Sequence, residues 1–207
     1  MAALSVWERL VSCEFERMPP AVQGLHLSRP VCSAPVQVHG SGFRLRAPEA
    51  WAEPATTAMY PKLGIKSWRD AGGLGVIYVG VPLLAVVAPL LRAPTQAQRV
   101  MVRAWQRAGQ TLQVHLWPYQ DFADVTEARY LVRGGVARAT SVCLRGASAP
   151  RFAHSAARLQ RLAQDVAEQL APAPWIIDLA VLPDDSLKVV EVNPALGPRE
   201  LTELRHL

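Results

Sequence analysis

The sequence predicts an α+β fold with mostly antiparallel strand pairing. Two hairpin signals support this prediction: Gly134-Gly135 and Pro183-Asp-Asp-Ser186 each separate two runs that are rich in β-branched or apolar residues. The third observation is the pattern of Ser155–Leu170, where leucine, alanine and valine recur at helical spacing. Hairpins combined with amphipathic helices are typical of α+β proteins.

The other elements follow from local patterns of the same kind. Thr95 is a predicted N-cap for a helix that runs to Ala108 and stops at Gly109. Further strands are predicted at Val76–Val79, Leu83–Val87 and Leu112–Trp117. With 207 residues, the chain is long enough for one sizeable core. We therefore expect one structural unit with two lobes, residues 1–110 and residues 111–207.

The charge pattern argues against several classes of protein. The net charge is +5, and only three of the 22 basic residues are lysines, while the arginines are scattered. A solvated basic surface or a site for anionic ligands fits this pattern better than a nucleic-acid-binding stripe, so no nucleic-acid partner is predicted. The three cysteines are far apart and the N-terminal residues lack a signal-peptide pattern, which predicts a reduced, cytoplasmic protein.

The segment Ala71–Leu91 contains no charged residue and is long enough to span a bilayer. Four glycines and two prolines interrupt it, which favours two buried strands over a membrane helix. We expect no membrane partner and keep a membrane-associated protein built around residues 71–91 as an alternative.

The hairpin near the C-terminus collects oxygen ligands on one face. If Asp184-Asp185 is a two-residue loop, counting outward places Asp178 directly opposite Glu191, and alternation places Asn193 beside Glu191. Like charges that face each other across a sheet are unfavourable unless a cation neutralises them, and oxygen ligands suit Mg²⁺. These three residues are therefore candidate metal ligands.

The alternative for this hairpin is an ordinary solvated acidic face, and a longer loop would shift every predicted pair. The opposite face is predicted to be the core face and to consist of Ile177, Leu179, Val181, Val190 and Val192.

Two of the three lysines, Lys62 and Lys66, lie in one segment that is followed by glycines. A lysine after a strand, next to a glycine-bearing loop, suits phosphate binding, because the ammonium supplies charge and glycines let backbone N–H groups approach oxygens. The segment is not a Walker A loop. An exposed basic loop is the alternative.

Arg129 shares a strand face with Glu127 in the Gly134-Gly135 hairpin. A bidentate clamp on phosphate is one interpretation of this arginine, and an ordinary ion pair is the other. Aromatic residues shortly upstream either line an adenine pocket or belong to the core: Trp117, Tyr119 and Phe122.

Together, these separated segments resemble one family. An Asp, a hairpin and an acidic residue-x-Asn-Pro are similar to the metal-binding end of ATP-grasp proteins. Pro61-Lys62-Leu and Arg69-Asp70-Ala resemble a signature of the cell division cycle protein 123 family, a divergent ATP-grasp branch. Glu127-Ala-Arg129 and the upstream Trp117 resemble a strand of the same family, and Cys13-x-Phe15 resembles its start weakly. Glu191 stands where the family usually has Asp.

The resemblance implies an ATP-grasp-like α+β fold of two lobes with antiparallel sheets, which binds ATP and Mg²⁺ between the lobes. It implies that Lys62 binds ATP phosphates, that Arg129 reaches the terminal phosphate, and that Asp178, Glu191 and Asn193 hold Mg²⁺. The hinge that packs on adenine is implied for the segment with Val114, Leu116 and Trp117. Lys62 and Arg129 are thus the candidate catalytic residues, and Lys66 is a further candidate phosphate ligand.

Two functions follow from such a fold. One is an ATP-dependent carboxylate–amine ligase, in which charge stabilisation by Lys62, Arg129 and Mg²⁺ supports phosphorylation of a carboxylate. The other is a non-catalytic, nucleotide-dependent assembly factor that binds a protein partner, as in the cell division cycle protein 123 family. The sequence contains no motif that identifies the protein partner or the small-molecule acceptor.

Overall fold

The computed structural model describes residues 4–39, 42–67, 76–92, 94–121, 125–143 and 149–205, and it confirms the α+β class. In chain order the helices and strands are α1 (Val6–Ser12), α2 (Pro20–Leu25), β1 (Cys32–His39), β2 (Gly42–Leu45), β3 (Met59–Leu63), β4 (Lys66–Ser67), α3 (Leu83–Arg92), α4 (Gln96–Arg107), β5 (Leu112–Pro118), β6 (Thr126–Arg133), β7 (Val136–Cys143), α5 (Ala149–Gln169), β8 (Trp175–Val181), β9 (Leu187–Pro194) and α6 (Pro198–Arg205).

The strands form two sheets in which all neighbouring strands pair antiparallel. The strand orders are β2-β1-β5-β3-β4 and β7-β6-β8-β9. The chain divides into a five-stranded unit, Arg29–Tyr119 with Thr202–Leu207, and a four-stranded unit, Met1–Ser28 with Gln120–Leu201. These boundaries differ from a division at residue 110, because β5 pairs with β1 and β3, and because α1 and α2 pack against β9.

The core of the four-stranded unit lies between its sheet and α5. Buried side chains of α5 recur every three or four residues, as predicted from the sequence: Leu159, Ala163 and Val166. Two glutamines of α5 also bond the backbone of the β6–β7 hairpin. Gln160 donates to the Ala137 carbonyl, and Gln164 accepts from the Ala137 N–H and donates to the Gly135 carbonyl. These bonds anchor β7 to the helix.

The predicted Gly134-Gly135 hairpin is present. Both glycines have positive φ angles, +57° and +77°, which a two-residue turn between right-twisting strands requires. The turn pairs Arg133 with Val136 and fixes the register of β6. This register is regular from Arg133 to Tyr130 and shifts between Tyr130 and Ala128, so Arg129 lies at an irregularity of the pair.

The core of the five-stranded unit lies under one face of its sheet, against α4. Thr95 caps α4 with a capping box to Gln98, as the N-cap prediction required. Trp105 of α4 is completely buried and packs against Gly64, where an added Cβ would lie 3.1 Å from the indole ring. Gly64 also has a φ of +54°, so the turn from β3 to β4 depends on glycine in two ways.

The predicted strand at Leu83–Val87 is wrong, since this run is the first half of α3. The buried residues Leu83, Val87, Leu90 and Leu91 follow helical spacing, and a short apolar run cannot be assigned by alternation alone. Of the other predicted strand, Ile77 forms a bridge with Met59. Among the described residues, no helix is long and apolar enough to cross a membrane.

Candidate functional site

The hairpin β8–β9 has a three-residue loop rather than the predicted two-residue loop. The Leu182 N–H donates to the Ser186 carbonyl, and Asp185 adopts a φ of +61°, so Pro183–Asp185 form the loop. The Asp184 carboxylate accepts bonds from the Ser186 hydroxyl and N–H at 2.7 and 3.0 Å. These bonds lower the pKa of Asp184 below its ordinary value and hold the turn.

A β-bulge at Val190 compensates for the longer loop. Leu179 pairs with Val189, but the next pair is Asp178 with Glu191, so Val190 has no partner of its own across the strands. The predicted pair Asp178–Glu191 is therefore present, although the loop was counted one residue short. The prediction that Val190 belongs to the core is wrong: Val189 is fully buried and Val190 is half-buried.

Because Val189 rather than Val190 is buried in the core, substitutions of these two neighbours should differ in their effect on stability. Val189→Ala removes two methyl groups from a fully buried site and should lower the free energy of unfolding by about 2 kcal/mol. Val190→Ala removes the same groups from the bulge and should cost less than about 1 kcal/mol. Urea denaturation of both variants measures the difference, and a larger loss for Val190→Ala would contradict the observed register.

Arg129 and Asp178 form the best-defined polar contact of the four-stranded sheet. They are directly opposite on β6 and β8, and the guanidinium donates twice to the carboxylate, Nε to Oδ1 at 2.7 Å and Nη2 to Oδ2 at 2.9 Å. Asp178 is only 5% exposed. The bonds with Asp178, together with the charges of Asp178, Glu191 and Glu127, raise the pKa of Arg129 despite its partial burial.

The pairs combine into one row of charges across three strands. Arg129 on β6 faces Asp178 on β8, which faces Glu191 on β9. Asn193 lies two residues beyond Glu191 on the same face, and both side chains are half-buried. Four of the predicted site residues thus share one face of the four-stranded sheet. Their roles toward a ligand stay predictions.

The donor atoms of this row fit Mg²⁺ by their chemistry. Two carboxylates and one amide offer the oxygen ligands that Mg²⁺ prefers. Arg129 donates one hydrogen bond to each Asp178 oxygen, and an ionised carboxylate offers about four acceptor positions, so Asp178 can accept further contacts. Among the described residues, no group of three or more His, Cys, Asp and Glu side chains is arranged as a metal site.

The bulge also moves Lys188 to the face of Asp178. Lys188 pairs with Ala180, and Ala180 pairs with Glu127, which is 6% exposed. A two-residue loop would instead have paired Lys188 with Val181 on the apolar face, so the sequence interpretation missed this lysine. The available signal was the doublet Val189-Val190 between two charged residues, which breaks the alternation of a regular strand.

Lys62 lies on the five-stranded sheet among aromatic side chains. It is half-buried on β3, and its Nζ is 4.9 Å from the Trp117 ring centroid and 5.9 Å from the Tyr60 ring centroid. The backbone of Lys66 belongs to β4, while its side chain lies outside the described part of the chain. Arg69 and Asp70 of the family-like signature also lie outside the described residues.

The predicted adenine hinge divides between the two faces of β5. Val114 and Leu116 are completely buried on the core side, and their strand pairs with β1 on one edge and β3 on the other. A nucleotide contact through these two side chains would need the core to open. Trp117 lies on the opposite face, next to Lys62, and is itself only 6% exposed, so its contact with a base stays a prediction. Phe122 lies outside the described residues.

The two antiparallel sheets and their helices define the class of the protein as α+β. Neither a family model nor a curated protein matches the sequence. Among solved structures, the chain is similar to Cdc123 from Schizosaccharomyces pombe, with a TM-score of 0.61, 13% identity, and coverage of 96% of this chain and 89% of that one.

A C-terminally truncated form of the same yeast protein aligns with a TM-score of 0.57, 13% identity and the same coverage of both chains. An N5-carboxyaminoimidazole synthase from Aspergillus clavatus, solved with ADP, aligns over 65% of this chain and 32% of its own at 12% identity. Its TM-score of 0.32 is too low to carry a conclusion. The resemblance to Cdc123 that the motifs predicted is thus confirmed for the fold.

Proposed function

We propose that this protein binds Mg·ATP. In the four-stranded unit, Arg129 is the proposed contact to phosphate oxygens. In the five-stranded unit, Lys62 is the proposed phosphate contact, Lys66 adds a further positive charge, and Trp117 is the proposed contact to the base. The observation that carries the proposal is the row Arg129–Asp178–Glu191, in which a bidentate ion pair and a second carboxylate meet on one sheet face. In an ATP-grasp-like fold, such a row suits a metal–nucleotide complex.

Asp178, Glu191 and Asn193 are the residues that would hold Mg²⁺. When bound, the ion offsets the negative charge of the phosphate oxygens. Asp178 has a second task, because its two bonds to Arg129 fix the guanidinium in the plane that presents donors to an oxyanion. Asn193 contributes a neutral oxygen and keeps the net charge of the ligand set at two negative charges.

The favoured use of the nucleotide is an assembly function, in which bound Mg·ATP sets the affinity for a protein partner. The similarity to Cdc123 over nearly the whole length of both chains supports this choice. An ATP-dependent carboxylate–amine ligase is the second candidate. It is supported by two cations, Arg129 and Lys188, on the same face as the two carboxylates, a set of charges that suits phosphoryl transfer.

The proposal is tested by calorimetric titration of Mg·ATP into the wild type and Glu191→Gln. This substitution removes one charge but leaves the bond pair between Arg129 and Asp178 intact. We expect the affinity for Mg·ATP to fall about 10- to 100-fold. Glu168→Gln, on the exposed side of α5, is the matched control and should bind like the wild type. Absence of binding by the wild type, or equal affinity for both glutamine variants, would contradict the proposal.

ADP release separates the two uses of the nucleotide. The wild type is incubated with Mg·ATP alone, and then with panels of carboxylic acids and amines. A ligase releases ADP only when an acid that it phosphorylates is present, whereas an assembly factor gives the same slow background with every panel. Asp178→Ala serves as the control that removes a proposed metal ligand in both cases.

A further inference from the structure

A buried histidine stands directly beside Lys62 and has no place in the function proposed so far. His115 is 1% exposed and lies at the centre of the five-stranded sheet, on the same face as Lys62. Its cross-strand neighbours are Ser33 on β1 and Lys62 on β3. The three residues therefore form one row across three strands, in the same way that Arg129, Asp178 and Glu191 do in the other sheet.

Ser33 fixes the orientation of the imidazole. Its Oγ lies 2.7 Å from Nδ1 of His115, a short hydrogen bond between a hydroxyl and a ring nitrogen. A ring that is almost fully buried and bonded at Nδ1 cannot rotate about its χ2 angle without losing that bond. The His115 ring therefore has one fixed orientation next to the aliphatic part of the Lys62 side chain.

Lys62 lies on β3, directly opposite His115. Residues directly opposite in an antiparallel pair have Cβ atoms about 5 Å apart, so the imidazole occupies the space on the β5 side of the lysine stem. The next cross-strand pair on this face is Tyr60 with Trp117, and the Lys62 ammonium extends to these rings, 4.9 Å from the Trp117 centroid. A cation at this distance from an indole is attracted by the ring.

From this arrangement we infer that the pair Ser33–His115 positions Lys62 for phosphate binding. His115 blocks the space on its own side of the lysine, so the Lys62 side chain is directed along the sheet face toward Trp117. His115 acts through Lys62 and is a positioning residue rather than a catalytic one. The inference rests on the proposed function, because it gives Lys62 a phosphate to bind. The confinement itself is a property of the protein without nucleotide, so it can be measured separately.

The first experiment is NMR of protein that contains ¹³C-labelled lysine, in the absence of nucleotide. The chain has only three lysines, and Lys62→Arg identifies the Lys62 signal by its loss. The ring current of Trp117 should shift the ε-methylene protons of Lys62 to high field. In Ser33→Ala and His115→Asn this displacement should fall by more than half. Gln113→Ala, on the same face of β5 and two residues from His115, should leave it unchanged.

An unchanged Lys62 signal in both Ser33→Ala and His115→Asn would overturn the inference, as would a wild-type spectrum in which no lysine signal is displaced. Ser33→Ala removes the hydrogen bond to the ring but keeps the histidine side chain in the core, so it stays informative if His115→Asn fails to fold. Circular dichroism confirms that each measured variant is folded.

The second experiment measures affinity for Mg·ATP in a double-mutant cycle with Lys62→Met. If His115 acts through Lys62, Ser33→Ala and His115→Asn should weaken binding about 3- to 10-fold in the wild type and have no further effect in Lys62→Met. Additive effects would overturn the inference while leaving the proposed function intact. If Lys62→Met binds Mg·ATP like the wild type, the proposed role of Lys62 fails, and the NMR result still decides whether His115 confines the lysine.

Discussion

Replacing Asp178 with alanine is expected to remove measurable Mg·ATP binding and to lower the free energy of unfolding by about 2–3 kcal/mol. Both effects have the same origin. The Asp178 carboxylate accepts two hydrogen bonds from the Arg129 guanidinium, with Nε and Nη2 donating at 2.7 and 2.9 Å. Its loss leaves a guanidinium that is 38% exposed, so water can restore part of the lost bonding and the cost stays below that of a fully buried pair.

Thermal and urea denaturation measure the stability loss, and calorimetry measures binding at a temperature where the variant is folded. Asp165→Ala, on the exposed side of α5, removes the same charge and should change stability by less than about 0.5 kcal/mol. The double variant Arg129→Met/Asp178→Ala should lose less free energy of unfolding than the two single variants lose in sum, because it leaves no unpaired cation. Wild-type affinity in folded Asp178→Ala would show that Asp178 is not a metal ligand.

The β8–β9 hairpin shows how far a sequence pattern determines a register. Counting outward from an assumed two-residue loop predicts the pair Asp178–Glu191, and the pair is present. The pairing between the loop and this pair is nevertheless different from the prediction. The loop has one residue more than predicted, and the bulge at Val190 restores the predicted register at Asp178–Glu191. Loop length depends on whether Asp185 adopts a positive φ, which aspartate tolerates but does not require. Composition alone could not decide this.

The core stripe of α5, the N-cap of α4 and the Gly134-Gly135 turn were predictable because their signals are local. Thr95 with Gln98, the Gly134-Gly135 turn and the stripe of α5 each depend on residues within one or two turns of chain. The run at Leu83–Val87 was assigned wrongly, since five apolar residues fit a buried strand and a helix equally well.

The row Ser33–His115–Lys62 could not be predicted by any local rule. Ser33 and His115 are 82 residues apart, and each of the three residues lies on a different strand. Single-sequence patterns describe which residues share a face of one strand, whereas the order of strands in the sheet decides which faces meet. The sheet order β2-β1-β5-β3-β4 places β5 between the other two, and this order follows from long-range packing.

The second large effect is expected for Lys62→Met. Methionine keeps an unbranched stem beside Trp117 but has no charge, so the affinity for ATP should fall about 10- to 100-fold through the loss of one charged contact to phosphate. Adenosine has no phosphate, so its affinity should not change. Stability should fall by no more than about 1 kcal/mol, which is the loss of a cation–π contact at a half-buried site.

Calorimetric titration with ATP, ADP and adenosine separates a phosphate contact from a general loss of structure. Arg99→Met removes one positive charge from the exposed surface of α4 in the same unit and is the matched control, with the affinity of the wild type expected for all three ligands. A parallel loss of ATP and adenosine affinity in Lys62→Met would mean that Lys62 shapes the base pocket with Trp117 rather than binding phosphate. An unchanged affinity for ATP would remove Lys62 from the site, because the loss of a direct charged hydrogen bond to phosphate lowers affinity.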